Sequence, residues 1–263
     1  MDLNLKDRIA FIAGSSQGLG YAIAQQLLEE GAIVILNGRN QQKLKESLSS
    51  LSGNFKNSAY SFPGDVTDKD FAIKLKDFLN SNFDKLDILI TNAGGPRPQN
   101  FESIDDSTWY DAIDLSFMSH VRLIRAMLPH LRESPIANVL TITSYSAKQP
   151  IPNLILSNSI RAATIGLTKT LALELGKEGI RFNSILPGWT MTDRVTQLME
   201  NRANLNNTSI ETEIEKQALE SPLLRLAEPQ EFANVATFLV SPRASYLTGT
   251  MIAVDGGMVK GLF

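Results

Sequence analysis

The 263-residue sequence contains no cysteine, which excludes disulfides, thiolate nucleophiles and cysteine-held metals. Histidine is scarce too: His120 and His130 are the only two, and they leave little from which to build a metal site. Charge of either sign is nearly balanced, with 25 Lys and Arg against 28 Asp and Glu for a net of −3, and the basic residues are scattered. Such a surface has no footprint for nucleic acid or an anionic membrane, so the expected partners are a small-molecule substrate and other proteins. Long hydrophobic runs are also missing. The opening MDLNLKDRIAFIAG has early acidic residues and a short apolar run, which suits neither a signal peptide nor a membrane span, and a cytoplasmic location is expected.

What is present is a 43% hydrophobic content, enough for one sizeable core, and a single domain over 1–263 is expected. Short apolar runs alternate with helical periodicity, the order that builds a parallel sheet from strand-helix-strand units. Strands are predicted at 8–13, 32–37, 59–62, 86–92, 138–143, 180–186 and 250–254, with helices near 18–30, 40–51, 68–82, 105–132, 155–177 and 228–240. The fold class is therefore α/β, a Rossmann-type doubly wound sheet of seven mainly parallel strands with helices on both faces. Thr67-x-x-Asp70 reads as a capping box and Pro229 as a first-turn proline. The stretch 193–222 breaks the rhythm. It is polar, has two weak helical patches, and belongs to an excursion over 189–222 whose Trp189, Met191, Leu198, Met199 and Leu205 suit either a substrate lid or a variable surface loop.

The first strand runs into Gly14-Ser15-Ser16-Gln17-Gly18-Leu19-Gly20, and a helix follows. Glycine opens backbone angles closed to other residues, and free amides at a helix start attract negative charge. In this context the turn points to the pyrophosphate of a dinucleotide; out of context it would be an ordinary tight turn. At the end of the second strand, Leu36-Asn37-Gly38-Arg39-Asn40 offers no carboxylate for a ribose hydroxyl, whereas Arg39 can receive an extra phosphate. NADP(H) is thus expected over NAD(H).

The Gly-x-x-x-Gly-x-Gly spacing resembles the short-chain dehydrogenase/reductase family, and nearest its 3-oxoacyl-acyl-carrier-protein reductase branch. Gly64-Asp65-Val66 is similar to that family's adenine contact, Thr91-Asn92-Ala93-Gly94 to its fourth-strand motif, and Asn183-x-x-x-Pro187-Gly188-x-x-x-Thr192 to its nicotinamide-side loop. Tyr246-Leu-Thr-Gly249 and Val254-Asp-Gly-Gly257 match its C-terminal pattern. The resemblance implies a cofactor site built from Gly14, Ser15, Ser16, Gln17, Gly18, Leu19, Arg39, Asp65, Val66, Asn92, Ala93, Gly94, Arg161, Pro187, Gly188 and Thr192, and a homodimer or homotetramer joined through the long helices.

The family reduces carbonyls with a Tyr-x-x-x-Lys pair, a serine thirteen residues earlier and an asparagine on the preceding long helix. Here Ser144 keeps the serine position, but Ser157 stands for the tyrosine, Arg161 for the lysine and Ser116 for the asparagine. An aliphatic hydroxyl is a far weaker acid than a phenol, and a guanidinium does not usefully release a proton. Tyr145, beside Ser144 and three residues before Lys148, is a candidate acid; His120 is a weaker one. The sequence therefore supports an NADP(H)-dependent oxidoreductase, 3-oxoacyl reductase-like, of modified mechanism. Its alternatives are a non-catalytic NADP(H)-binding or regulatory protein, and a different reaction in which Arg161 holds a substrate carboxylate or phosphate.

Overall fold

A computed structural model describes residues 1–53, 55 and 57–262. Residues 54, 56 and 263, within the 1–263 span expected as one domain, lie outside the described residues. Seven strands form one sheet: β1 (Ile9–Ile12), β2 (Ile33–Gly38), β3 (Ala59–Pro63), β4 (Ile88–Thr91), β5 (Asn138–Ile142), β6 (Arg181–Pro187) and β7 (Met251–Val254). Their order is β3-β2-β1-β4-β5-β6-β7, and every pairing is parallel. Chain order reverses between β1 and β4, so a crevice opens there beyond the carboxyl ends of the strands, the customary place for a ligand in such sheets.

The central strands read as continuous apolar runs because both faces are covered. Alternation then divides them. Ala10 and Ile12 of β1 join Val34, Leu36, Ile88 and Ile90 on one face, against Ile23 and Leu27 of α1 (Gly18–Glu29) and Phe232 and Leu239 of α9 (Pro229–Val240). Phe11 joins Ile35 and Leu89 on the other. There the cover is α3 (Phe71–Asn82) through Leu75 and Leu79, α5 (Ser119–Arg132) through Leu123 and Met127, and α6 (Ile155–Leu175) through Ala172. Helix α2 (Gln41–Ser52) starts on Asn40, whose side chain accepts from the Lys43 amide.

Three expectations change. Thr67-x-x-Asp70 is not a capping box: Asp65 takes the Thr67 amide and hydroxyl at 2.9 and 2.8 Å, and α3 begins at Phe71 without a side-chain cap. The helix expected over 105–132 is α4 (Asp106–Ile113) and α5 joined by a π turn at Asp114–Met118. The extra residue in that turn is invisible to a 3.6-residue pattern. The weak patches of 193–222 are full helices, α7 (Asp193–Asn206) and α8 (Ile210–Ala218), capped by the hydroxyls of Thr192 and Ser209 and anchored by buried Met199 and Ala203. Pro229 does occupy the first turn of α9, behind a Glu228/Glu231 capping box. No helix among the described residues is long and apolar enough to cross a membrane.

Candidate active site

The parallel strands bring their carboxyl ends, and the turns that follow, to one edge. Beyond β1 the chain enters α1 with Gly18 at φ 60°, and a Cβ on Gly20 would lie 2.5 Å from the Gly14 carbonyl, so the helix can sit this close to the strand only with glycine there. Helix α1 has no side-chain cap and no acidic residue in its first turn. Its first amides are left for a ligand, and their dipole favours an anion. Two neighbours fix the turn from behind. The Ser15 hydroxyl donates to the Ile12 carbonyl at 2.8 Å and accepts the Asn37 amide at 2.9 Å, while Asn92 donates to the carbonyls of Ala13 and Gly14 at 3.3 and 3.2 Å. Ser15 is wholly buried, so its hydroxyl faces the scaffold rather than the cleft expected for it.

At the end of β2, Asn37 is also structural, accepting the Gly14 amide and donating to the carbonyls of Phe62 and Gly64. Arg39 stands out in solvent with 75% of its side chain exposed, 3.5 Å from Asp65. An exposed pair at that distance contributes little and leaves the guanidinium free to turn. Val66 packs against the core beneath.

After β4, three successive carbonyls are each approached by a side chain from a different element. Arg161 of α6 reaches Ala93 at 3.5 Å, Ser116 of the π turn reaches Gly94 at 3.4 Å, and Arg194 of α7 reaches Gly95 at 3.4 Å. Arg161 also donates to the Ile142 carbonyl at 3.1 Å, so its fork spans the ends of β4 and β5. Burial pushes its pKa down to about 10, with the Arg194 charge adding to the effect; it stays a cation at neutral pH. Ser116 is fully buried, and its own carbonyl accepts the Thr164 hydroxyl at 3.0 Å.

Beyond β5 the structure brings three serines together. The Ser144 oxygen accepts the Ser146 amide at 3.1 Å, and the hydroxyls of Ser146 and Ser157 are 3.4 Å apart. Ser157 and Arg161 lie one turn apart on α6, as the spacing implies. Tyr145 goes elsewhere: its phenol oxygen accepts the Trp189 indole N–H at 3.2 Å, and burial raises its pKa. Trp189 follows Pro187 and Gly188 and carries Arg202 over its ring at 5.2 Å, so the 189–222 excursion closes on the site through an aromatic. Thr192 comes back across to α1, its methyl 3.7 Å from where a Cβ on Gly18 would be.

His120 is buried, with Nδ1 2.6 Å from the Thr91 hydroxyl and Nε2 without a partner. Burial, reinforced by Arg161, pushes its pKa down to about 3, so it is neutral and unsuited to deliver protons. Ser146 and Arg194 escaped the sequence reading, for neither sits in a motif. Among the described residues no group of three or more acidic or histidine side chains is placed to hold a metal.

Known proteins resemble this one along nearly its whole length. The family model described as enoyl-(acyl carrier protein) reductase matches residues 13–259. The chain is 32% identical to the oxidoreductase YvrD of Bacillus subtilis (strain 168), with 100% of both chains covered. L-sorbose reductase from Gluconobacter frateurii, solved with NADPH and L-sorbose, superposes with a TM-score of 0.96 at 32% identity over 100% of both chains. An NADPH-bound short-chain oxidoreductase from Pseudomonas aeruginosa PAO1, described as containing an atypical catalytic center, gives 0.89 at 29% identity over 97% of this chain and 99% of that one. With its glycine turn, its seven parallel strands and its match over nearly the whole length, the chain belongs to the short-chain dehydrogenase/reductase family of oxidoreductases.

Proposed function

We propose that the protein is an NADP(H)-dependent carbonyl reductase, 3-oxoacyl reductase-like, whose proton reaches the substrate from solvent rather than from a tyrosine. The observation that carries this reading is the grouping of Ser144, Ser146 and Ser157 on the sheet edge that also holds the uncapped start of α1. The cofactor fits what is there. The amides from Ser16 to Leu19 would hold the pyrophosphate on a turn that Gly14 and Ser15 tie to Asn37, Arg39 would hold the additional phosphate, and Asp65 with Val66 the adenine side. Asn92 to Gly94, Arg161, and Pro187, Gly188 and Thr192 would flank the nicotinamide half. NADPH, when bound, supplies a hydride; NADPH-bound relatives of the same fold support the choice.

The protein's own groups then act on the carbonyl oxygen. The Ser144 oxygen accepts the Ser146 amide on one lone pair, which orients the hydroxyl so that its hydrogen can donate to that oxygen. Ser157 donates beside it and is replenished from water, since among the described residues its side chain meets only another hydroxyl. Arg161 contributes a fixed positive charge in a dry setting, where it favours the developing alkoxide. Without a phenolic acid, turnover on the order of 10²- to 10⁴-fold below a complete site is expected.

One specific observation favours the non-catalytic reading: the single nearby phenol is engaged by Trp189 and does not meet the serines. NADPH binding, followed by NADPH oxidation with ketones, aldehydes and acyl thioesters, separates the two. Binding with no oxidation of any carbonyl overturns the reductase reading. Ser157→Tyr combined with Arg161→Lys should raise ketone reduction, and no gain would mean that the pocket serves another chemistry.

A further inference from the structure

Arg161 is a buried cation without an anion. Its two terminal nitrogens meet only main-chain carbonyls, and its Nε has no partner. The one charged side chain that bears on it is another cation, Arg194. Among the described residues no carboxylate lies within ion-pair distance of either guanidinium. Taking a charge out of water is costly unless an opposite charge answers it. Nothing adjacent supplies one: His120 is neutral, and Ser157, a turn earlier on α6, is an unionised hydroxyl.

Arg194 occupies the first turn of α7 and leans over the turn that follows β4. A Cβ on Gly95 would lie 3.0 Å from its Nη2, so the bare glycine admits the guanidinium to this position. Among the described residues only one of its N–H groups is used, on the Gly95 carbonyl, which leaves the rest of the fork for a ligand. Two like charges thus stand at the turn after β4, the deeper one fixed to the scaffold and the outer one available for contact. A planar guanidinium matches a carboxylate with two parallel hydrogen bonds, and a second positive charge beneath strengthens the attraction.

We infer that the substrate carries a carboxylate near its reacting carbonyl, held by Arg194 at the start of α7 and favoured by the unbalanced charge of Arg161 below. The word substrate rests on the reductase reading; the carboxylate site does not. Reduction then converts an oxo acid to a hydroxy acid. A hydride from NADPH forms the new C–H bond as the carbonyl π bond opens, solvent provides the proton on oxygen, NADP⁺ is released, and the carboxylate is unchanged.

The test uses matched probes with the NADPH-loaded protein: 2-oxobutanoate, 3-oxobutanoate and 4-oxopentanoate, each against its methyl ester, at low ionic strength. Binding is followed by calorimetry and NADPH oxidation by absorbance. At least one acid should bind about tenfold or more tightly than its ester, the size expected of a hydrogen bond to a charged group. Arg194→Ala should abolish that preference and Arg194→Lys keep part of it, with NADPH affinity unchanged in both as evidence of an intact fold. Equal binding of acids and esters, absence of binding by all six, or a preference surviving Arg194→Ala would overturn the inference. The two readings fail separately. Acid-selective binding with no oxidation would keep the carboxylate site and remove the reductase, whereas equal oxidation of acids and esters would do the reverse.

Discussion

Nη1 of Arg161 donates to the carbonyl of Ile142 at 3.1 Å, so a charged side chain closes the carboxyl end of β5 from inside the protein. A lysine amine at the same helix position would be a point charge, whereas the guanidinium fork also reaches Ala93 and ties two strand ends together. The residue therefore has a scaffold role and an electrostatic one, and the two can be separated.

Arg161→Met should do so. It forfeits two hydrogen bonds to carbonyls but also removes a charge that burial disfavours, and these effects oppose each other. Thermal melting should show a midpoint within about 4 °C of the parent. Carbonyl reduction should fall about 10²-fold or more, the usual result of removing preorganised positive charge from a developing oxyanion. A melt lowered far beyond that range would make Arg161 chiefly structural.

Arg39→Ala tests cofactor choice. With its side chain exposed and only a 3.5 Å approach to Asp65, the guanidinium contributes little to the fold and can serve a phosphate. Fluorescence titration should show NADPH affinity about tenfold weaker and NADH affinity altered by less than about twofold. Equal loss for both cofactors would remove Arg39 from the discrimination.

Tyr145→Phe distinguishes a solvent proton from a phenolic one. The Trp189 indole loses its acceptor, which should cost about 1 kcal/mol in stability. Turnover should stay within about tenfold of the parent, because losing a true general acid typically costs 10²- to 10⁴-fold. A loss in that larger range would identify Tyr145 as the acid.

Acid sensitivity should follow from His120. Its folded pKa is pushed from 6.5 down to about 3 by burial and then by Arg161, so between those values the unfolded chain binds a proton that the folded protein refuses. Its contribution is fully present above pH 6.5 and is lost as pH falls toward 3, at up to roughly 1.4 kcal/mol per pH unit. Urea denaturation between pH 4.5 and 7 should show the decline, and His120→Asn should flatten most of it. The remainder belongs to His130, whose pKa burial also lowers, and near pH 4.5 to carboxylates such as Glu213 and Glu231, whose pKa values hydrogen bonds hold down. An unchanged slope in the variant would mean that His120 accepts a proton while folded.

The strands were legible because buried parallel strands are written as unbroken apolar runs, as in Ile9-Ala-Phe-Ile12, and the glycine turn because its neighbours on both sides are unambiguous. What escaped were partnerships across the chain. Arg194 and Gly95 are 99 residues apart, and Ser146 meets Ser157 across 11 with a turn between. The capping box failed for a local reason: Asp65, two residues upstream, competed for Thr67 and won.

The π turn at Asp114–Met118 sets the tolerance of the whole region to insertions and deletions. Ala112 on one side of it packs with Leu156 and Ile160, while Leu123 and Met127 on the other side face the sheet. The turn absorbs one extra residue, so deleting a residue there restores ordinary winding with α4 and α5 on their present faces, whereas a deletion within either helix would rotate one relative to the other by about 100°. That rotation would swing Ala112 out of its packing, so the region should tolerate loss of one residue at the turn but not within α4 or α5.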